Sequence, residues 1–169
     1  RRERRAVRRA SVEAEVTPQV PEPAKKKAKS NTNIAEDTHF LLVVADVNPY
    51  LSEGTKSALN YAAGMTRPGS VGRLTAMVLP QADEGVFTNA TVLQTTLRWW
   101  MRELGLGEDQ YGELVPKEAP DCAAAAVADA ADELESTQVI VSADAVAQKR
   151  LDMSLLATFL NCPLTIVPE

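Results

Sequence analysis

Few side chains in the sequence are reactive, and this limits the chemistry that the chain could perform. There is one histidine, His39, and there are two cysteines, Cys122 and Cys162, which stand 40 residues apart. A zinc site needs several Cys or His ligands, and one isolated pair of cysteines makes no disulfide framework. The sequence therefore lacks the residues needed for metal catalysis, Cys-His chemistry or Ser-His-Asp chemistry, unless His39 supplies one of them. Because His39 opens a predicted strand, we expect a solvated edge residue there.

Asp46 is the acidic residue whose position most favours a binding role. It follows the apolar run FLLVVA at 40–45, which predicts a strand. The carboxyl ends of parallel strands border the crevice where sheets of this class place their ligands, so the Asp46 carboxylate could accept hydrogen bonds from a ligand there. The alternative interpretation is that Asp46 begins a turn with Asn48-Pro49, which needs no ligand.

Cys122 and Trp99 are two further candidates. Cys122 follows Asp121 at a predicted helix start, where the helix field stabilises a thiolate and would suit a redox-sensing thiol. The alternatives are that Asp121 opposes the thiolate, or that Cys122 is a buried structural cysteine, as we expect for Cys162. Trp99 lies about 100° around a predicted helix from its apolar stripe. It is therefore either an exposed anchor for a protein partner or a core residue covered by the loop at 81–89.

The charge of the chain is unevenly distributed. The net charge of the 169 residues is -5, but residues 1–10 contain six Arg and one Glu, which leaves residues 11–169 with -10. This acidic body argues against nucleic acid as a partner, because phosphate binding needs clustered basic residues on the folded surface. The sequence contains no run of 18 or more apolar residues, so it predicts no transmembrane segment.

The first 37 residues are predicted to lie outside the folded domain. Residues 1–10 (RRERRAVRRA) are rich in Arg, as is typical of a transit-peptide remnant, and we expect a longer precursor targeted to the chloroplast stroma, with the mitochondrion as second choice. The alternative is a disordered basic arm that binds an acidic partner. Residues 11–37, with three Pro at 18–23 and the run KKKAK at 25–29, predict a disordered linker. The folded domain should span 38–169.

Within that domain, apolar runs alternate with amphipathic helices. Strands are predicted at 40–45, 73–79, 111–115, 138–142 and 164–167, and the segment 81–89 is predicted to be a loop. Four helices are predicted. The first is capped by Ser52 and has an apolar stripe that ends at Met65, and the second covers 93–104. The third is capped by Asp121 with a face that includes Ala123, Ala126 and Leu134, and the fourth covers 151–160. This alternation predicts an α/β domain with a parallel five-stranded sheet and helices on both faces.

Three features of residues 39–169 occur in a characteristic order. A first strand ends in Asp46 before the helix start SEGTKSALNY at 52–61, an alanine-rich helix precedes the fourth strand, and the segment FLNCPLTIV at 159–167 closes the domain. In these features the chain resembles the universal stress protein family. The resemblance implies a sheet of order 3-2-1-4-5, as in universal stress proteins and adenine nucleotide alpha hydrolase-like domains. It also implies a homodimer formed through the last strand.

The sequence departs from the family at the phosphate-binding loop. ATP-binding members carry G-x2-G-x9-G-[S/T] after the fourth strand, because glycines let backbone amides approach phosphate oxygens closely. Here the glycine positions fall on Ser142, Ala145 and Met153, Ser154 follows, and the last interval is two residues shorter than the pattern. These differences predict that a triphosphate is not bound tightly.

Two basic residues and Asp46 remain as parts of a degenerate nucleotide site. Lys149 and Arg150 could compensate for the missing glycines, or they are solvated charges at a helix start. In the family, the aspartate that matches Asp46 helps to hold the nucleoside. Together with Ser154, these residues would form an adenine-nucleotide site.

The first functional hypothesis is a non-catalytic, dimeric binding, scaffold or regulatory module with no cofactor and an unidentified protein partner. The alternative is a stress protein that binds ATP or AMP with weak or no hydrolysis. A third reading, a flavodoxin-like or photolyase-like domain, is disfavoured because Asn48-Pro49-Tyr50 stands where a phosphate loop rich in Ser and Thr would be needed.

Overall fold

The computed structural model describes residues 38–66, 72–80, 82–83, 86–87, 90–116 and 121–169. Three predicted features lie outside the described residues: the leader at 1–10, the linker at 11–37 and the end of the first helix at Pro68-Gly69. In chain order the described elements are β1 (His39–Val44), α1 (Glu53–Met65), β2 (Arg73–Val78), β3 (Ala82–Asp83), β4 (Val86–Phe87), α2 (Ala90–Glu103), β5 (Tyr111–Leu114), α3 (Ala123–Glu133), β6 (Gln138–Ser142), α4 (Ala143–Ala147), α5 (Met153–Phe159) and β7 (Leu164–Val167).

Five of these strands form one parallel sheet of order β5-β2-β1-β6-β7. Counted along the chain within this sheet, the order is 3-2-1-4-5, which confirms the predicted fold class. The central strand β1 is paired on both sides, so that Leu41 lies between Thr75 of β2 and Val139 of β6. No described helix is long and apolar enough to cross a membrane.

The three central strands, β2, β1 and β6, are buried on both faces, as expected for apolar runs without alternation. On one face, Leu42 and Val44 belong to a core that includes buried residues of α1 and α2. On the other face, Leu41 and Val43 belong to a second core with residues of α3 and α5. Two layers of helices therefore fix the strand ends at which the candidate site lies.

Helix α1 begins as predicted, but its last turn differs. The Ser52 hydroxyl caps the helix by accepting a hydrogen bond from the Thr55 N–H at 3.4 Å. Met65, predicted to lie on the buried stripe, is 40% exposed. The buried position at this end is taken by Thr66, whose hydroxyl donates to the carbonyl of Ala62 at 3.2 Å and so closes the helix.

Helix α3 begins later than predicted, and Asp121 is not its cap. Cys122 occupies the cap position without a side-chain cap hydrogen bond, and Asp121 is exposed. The buried face consists of small residues: Ala124, Val127, Ala128, Ala130 and Ala131. Of the predicted face, Val127 and Ala130 are buried, and Ala123, Ala126 and Leu134 are half-buried and pack against the same core. The prediction missed that Ala124, Ala128 and Ala131 are buried as well, because an alanine run has little periodic contrast.

Three short elements, α4, β3 and β4, were not predicted from the sequence. The segment predicted as one helix at 151–160 is preceded by α4, and Asp152 caps α5. The predicted loop at 81–89 contains β3 and β4, which pair in antiparallel fashion. Elements of two to five residues carry no measurable periodicity, and this is why the sequence pattern did not reveal them.

His39 is not the solvated edge residue that we expected. Its Nδ1 lies 3.0 Å from the Leu134 carbonyl oxygen and its Nε2 lies 2.8 Å from the Thr75 hydroxyl. Because a carbonyl only accepts, Nδ1 carries the hydrogen and Nε2 accepts from Thr75. Burial lowers the pKa of His39, against the effect of the Leu134 hydrogen bond, so a neutral imidazole links β1 and β2 to the end of α3.

The edge strand β5 carries a buried carboxylate. The Glu113 side chain is 7% exposed, and Arg98 of α2 donates to both of its oxygens, at 3.0 and 2.8 Å. The Tyr111 hydroxyl also donates to Glu113, at 3.1 Å. Burial, followed by the Glu113 charge, raises the pKa of Tyr111. The planar fork of Arg98 therefore holds α2 against the outer strand.

Candidate functional site

Asp46 lies at the carboxyl end of β1, and both of its carboxylate oxygens accept hydrogen bonds from groups of the same chain. The residue is 2% exposed. Oδ1 accepts the Asn48 N–H at 2.8 Å, while Oδ2 accepts the Ser52 N–H at 2.7 Å and the Thr55 hydroxyl at 2.9 Å. The carboxylate thus closes the loop 46–52 and fixes the first turn of α1, as the turn interpretation of the sequence requires.

These hydrogen bonds also keep Asp46 ionised. Burial alone would raise the pKa of its carboxyl, but the hydrogen bonds from Ser52, Asn48 and Thr55 outweigh this effect and the pKa lies below the ordinary value. Hydrogen bonds to the charged form of a carboxylate favour that form. At neutral pH the site therefore contains a buried negative charge.

Arg150 faces this charge, although it is distant in the sequence. Its Nη1 lies 3.7 Å from Asp46 Oδ1 and donates to the Ala45 carbonyl oxygen at 3.2 Å. The Arg150 side chain is only 17% exposed, whereas the neighbouring Lys149 is exposed. The chain thus brings Arg150 to Asp46 and leaves Lys149 in solvent.

The turn between α4 and α5 explains this difference between the two basic residues. Lys149 adopts a left-handed backbone conformation with φ 56°, which non-glycine residues seldom adopt. The Arg150 and Leu151 N–H groups then donate to the Ala145 carbonyl at 2.9 and 3.2 Å. This tight reversal directs Arg150 back towards β1.

Ser142 and Ala145, at two of the positions where the resemblance predicted a glycine, are bonded to each other within the chain. Ser142 is buried, and its hydroxyl accepts the Ala145 N–H at 3.3 Å. Asp152 Oδ1 accepts the N–H groups of Ser154 and Leu155 at 2.8 and 3.1 Å. Ser154 itself is exposed. A carboxylate of the chain therefore sits at the amino end of α5, where a bound anion would otherwise meet free amides.

A close contact between α1 and α4, involving Gly54 and Asp144, was not found from the sequence. A Cβ built on Gly54 would lie 2.6 Å from the Asp144 Cγ, nearer than real Cβ contacts occur. Glycine in the first turn of an otherwise regular helix was the available signal, since glycine weakens helices and needs a reason to be there.

An aromatic groove lies on the side of α2. We define it by its lining residues, which enclose about 480 Å³: Tyr50, Lys56, Thr95, Thr96, Trp99 and Trp100. Trp99 is 55% exposed and Tyr50 is 72% exposed. The Lys56 Nζ lies 5.8 Å from the ring centroid of Trp100, within cation–π range. Trp99 thus fits the exposed alternative, and Tyr50 was not anticipated as its neighbour.

The remaining candidates contribute no metal centre. Cys122 is half-buried at the start of α3, and Cys162 is half-buried, where burial, followed by the Asp132 charge, raises the pKa of its thiol. Within the described part of the chain, no group of three or more His, Cys, Asp or Glu side chains could hold a metal ion.

Comparison with known proteins gives structural matches only. No family model and no curated protein matches the sequence. A universal stress protein from Archaeoglobus fulgidus superposes with a TM-score of 0.55 at 14% identity, over 78% of this chain and 94% of that one. The Archaeoglobus fulgidus universal stress protein in complex with dAMP superposes with a TM-score of 0.54 at 16% identity, over 77% and 97%. The folded part of this chain has the universal stress protein fold.

Proposed function

We propose that the chain is a non-catalytic, universal stress protein-like module that acts as a dimeric binding, scaffold or regulatory domain without a cofactor. The observation that carries the proposal is the closure of the segment 142–154 by its own hydrogen bonds. We further propose an organelle as its location, the chloroplast stroma before the mitochondrion, from the Arg-rich residues 1–10. Imaging of a fluorescent fusion would check this location.

The closed segment disfavours nucleotide binding for an electrostatic reason. A phosphate at the amino end of α5 would have to displace the Asp152 carboxylate from the Ser154 and Leu155 amides. If the carboxylate remained nearby, the two negative charges would repel each other. The exposed Lys149 side chain could attract a phosphate by its charge. One flexible cation does not, however, replace several backbone amides that surround the phosphate.

Adenine-nucleotide binding is the second candidate function, with ATP or AMP as ligand. It is favoured by the structural neighbour whose complex contains dAMP. A monophosphate needs fewer amides than a triphosphate does, and an ionised Asp46 stands at the position that holds the nucleoside in the resembling family. This candidate requires Arg150 to move away from Asp46.

Titration of the full chain with ATP, AMP and dAMP by isothermal calorimetry separates the two candidates. We expect no saturable heat at micromolar nucleotide, because the amides and Asp46 are already bonded within the chain. The Lys149→Ala variant is the control for weak attraction of phosphate to a surface cation. Micromolar affinity that is lost in Asp46→Asn would contradict the proposal and establish the second candidate.

The proposed dimer uses the free edge of β7. This strand reads LTIV without a charge, and Ile166 is 43% exposed beside the edge. We expect the wild-type chain to be a dimer and Ile166→Lys to be a monomer in size-exclusion chromatography with light scattering, because a buried lysine opposes pairing. Met65→Lys, at 40% exposure on α1, is the matched control and should remain dimeric. A monomeric wild type would contradict this part of the proposal.

A further inference from the structure

The loop 46–52 connects the carboxyl end of β1 with the aromatic groove. At its ends, the Asp46 carboxylate accepts the N–H groups of Asn48 and Ser52. In its middle, the Asn48 carbonyl accepts the Leu51 N–H at 3.0 Å, and the Asn48 side-chain oxygen accepts the Tyr50 N–H at 3.0 Å. Tyr50 lines the groove. A continuous set of hydrogen bonds therefore runs from Asp46 to a groove residue.

The backbone of this loop is held in an unfavourable conformation. Leu51 has φ 66°, in the left-handed region, and its side chain is 2% exposed. A bulky residue keeps such a conformation only when its surroundings determine it strongly. Here they consist of the Leu51 side chain in the core and the Asp46 carboxylate at both ends of the loop. Loosening Asp46 should therefore release Tyr50.

Arg150 is the cation that holds Asp46 from the other side. Its guanidinium lies against the carboxylate and donates to the Ala45 carbonyl, at the end of the same strand. A buried carboxylate that loses its cation is strongly disfavoured and draws in water or changes its hydrogen bonds. The position of Arg150 against Asp46 and Ala45 is thus linked to the shape of the loop 46–52.

We propose that Arg150 acts as a built-in counter-ion of Asp46 at the carboxyl end of β1 and, through Asp46, fixes Tyr50 in the aromatic groove, so that this strand end and the groove are coupled. Arg150 is a positioning residue in this arrangement. A ligand that displaced Arg150 from Asp46 would alter the groove, and a partner in the groove would resist that displacement, since coupling between sites is reciprocal. The inference rests on the proposed binding or scaffold function only where it takes the groove around Trp99 as a surface for a protein partner, and the coupling itself does not depend on that function.

The experiment uses the chain without any ligand. Trp99 and Trp100 are the only two tryptophans of the sequence, so intrinsic fluorescence reports on the groove. In Arg150→Met we expect stronger acrylamide quenching, and hydrogen exchange at the Asn48 and Ser52 amides that is faster by about tenfold. Arg150→Lys keeps the positive charge but loses the planar guanidinium. Its quenching and exchange rates should lie between those of the wild type and Arg150→Met. Lys149→Met, one residue away and exposed, should match the wild type.

Two outcomes would overturn the coupling. One is a folded Arg150→Met variant with unchanged quenching and unchanged loop exchange. The other is a uniform acceleration that includes the β1 amides, which would show a purely global loss of stability. If Arg150→Met does not fold, the Asp46→Asn/Arg150→Met variant removes both charges, and a groove that then behaves as in the wild type also refutes the inference. Because no nucleotide is added, these results are independent of the titration above.

Discussion

Replacement of Asp46 by alanine is expected to lower the free energy of unfolding by about 3–5 kcal/mol, since it leaves one partner of a buried ion pair and several buried donors unsatisfied. The Asn48 and Ser52 amides and the Thr55 hydroxyl would lose their acceptor, and Arg150 would lose its counter-charge. Domains of this kind are stable by only about 5–15 kcal/mol, so the loss would be readily measured by urea denaturation.

The matched control is Asp129→Ala, which removes an exposed carboxylate from α3. It should change the unfolding free energy by no more than about 0.5 kcal/mol. If Asp46→Ala were as mild as this control, the carboxylate would be retained for a ligand and not for the fold.

The same carboxylate predicts the sign of a pH effect. Because the folded-state pKa of Asp46 lies below its ordinary value of 3.8, its contribution is complete above that pH and is lost as the pH falls through the folded-state pKa. The stability difference between the wild type and Asp46→Asn should therefore shrink on acidification.

Replacement of Gly54 by alanine is the second prediction: because the Asp144 side chain can rotate away, we expect a loss of about 1 kcal/mol, at the low end of the range for overpacking. The added methyl group would meet Asp144 in α4. This outcome opposes helix propensity, which favours alanine over glycine by about 1 kcal/mol.

Gly64 in the same helix is the internal control, because a Cβ built there meets nothing within 4 Å. Gly64→Ala should stabilise by about 0.5–1 kcal/mol in the same denaturation measurement. In the Gly54→Ala/Asp144→Ala variant the loss should be largely recovered. Equal effects of the two glycine substitutions would show that α1 and α4 are not in close contact.

Much of the fold could be predicted because the central strands of the sheet are buried on both faces. These strands are short apolar runs, and their alternation with helices leaves few arrangements of a parallel sheet. The prediction failed where the pattern was short or uniform. α4 has five residues, and the alanine run of α3 did not show that Ala124, Ala128 and Ala131 are also buried. His39 was misjudged because the sequence does not show which polar groups lie across a strand.

For the candidate site, the sequence predicted where Asp46 lies but not what it contacts. Its position follows from the end of β1. Its pairing with Arg150 depends on the left-handed turn at Lys149, a conformation that lysine does not suggest. The use of Asp152 as a helix cap, in place of an open anion site, likewise depends on where α5 begins, and short helices have the least predictable ends.

The two edge strands of the sheet, β5 and β7, differ in how well they could pair with a strand of another molecule. β5 is short, contains Gly112 and the Glu113 carboxylate held by Arg98, and is soon followed by Pro116. Such strands are poor templates for a further strand, whereas β7 carries no charge. If the proposed dimer joins β7 to β7 about a twofold axis, the two uncharged β7 edges are buried and the two β5 edges remain at the ends of the joined sheet. The assembly would then stop at a closed pair and would not grow into a filament.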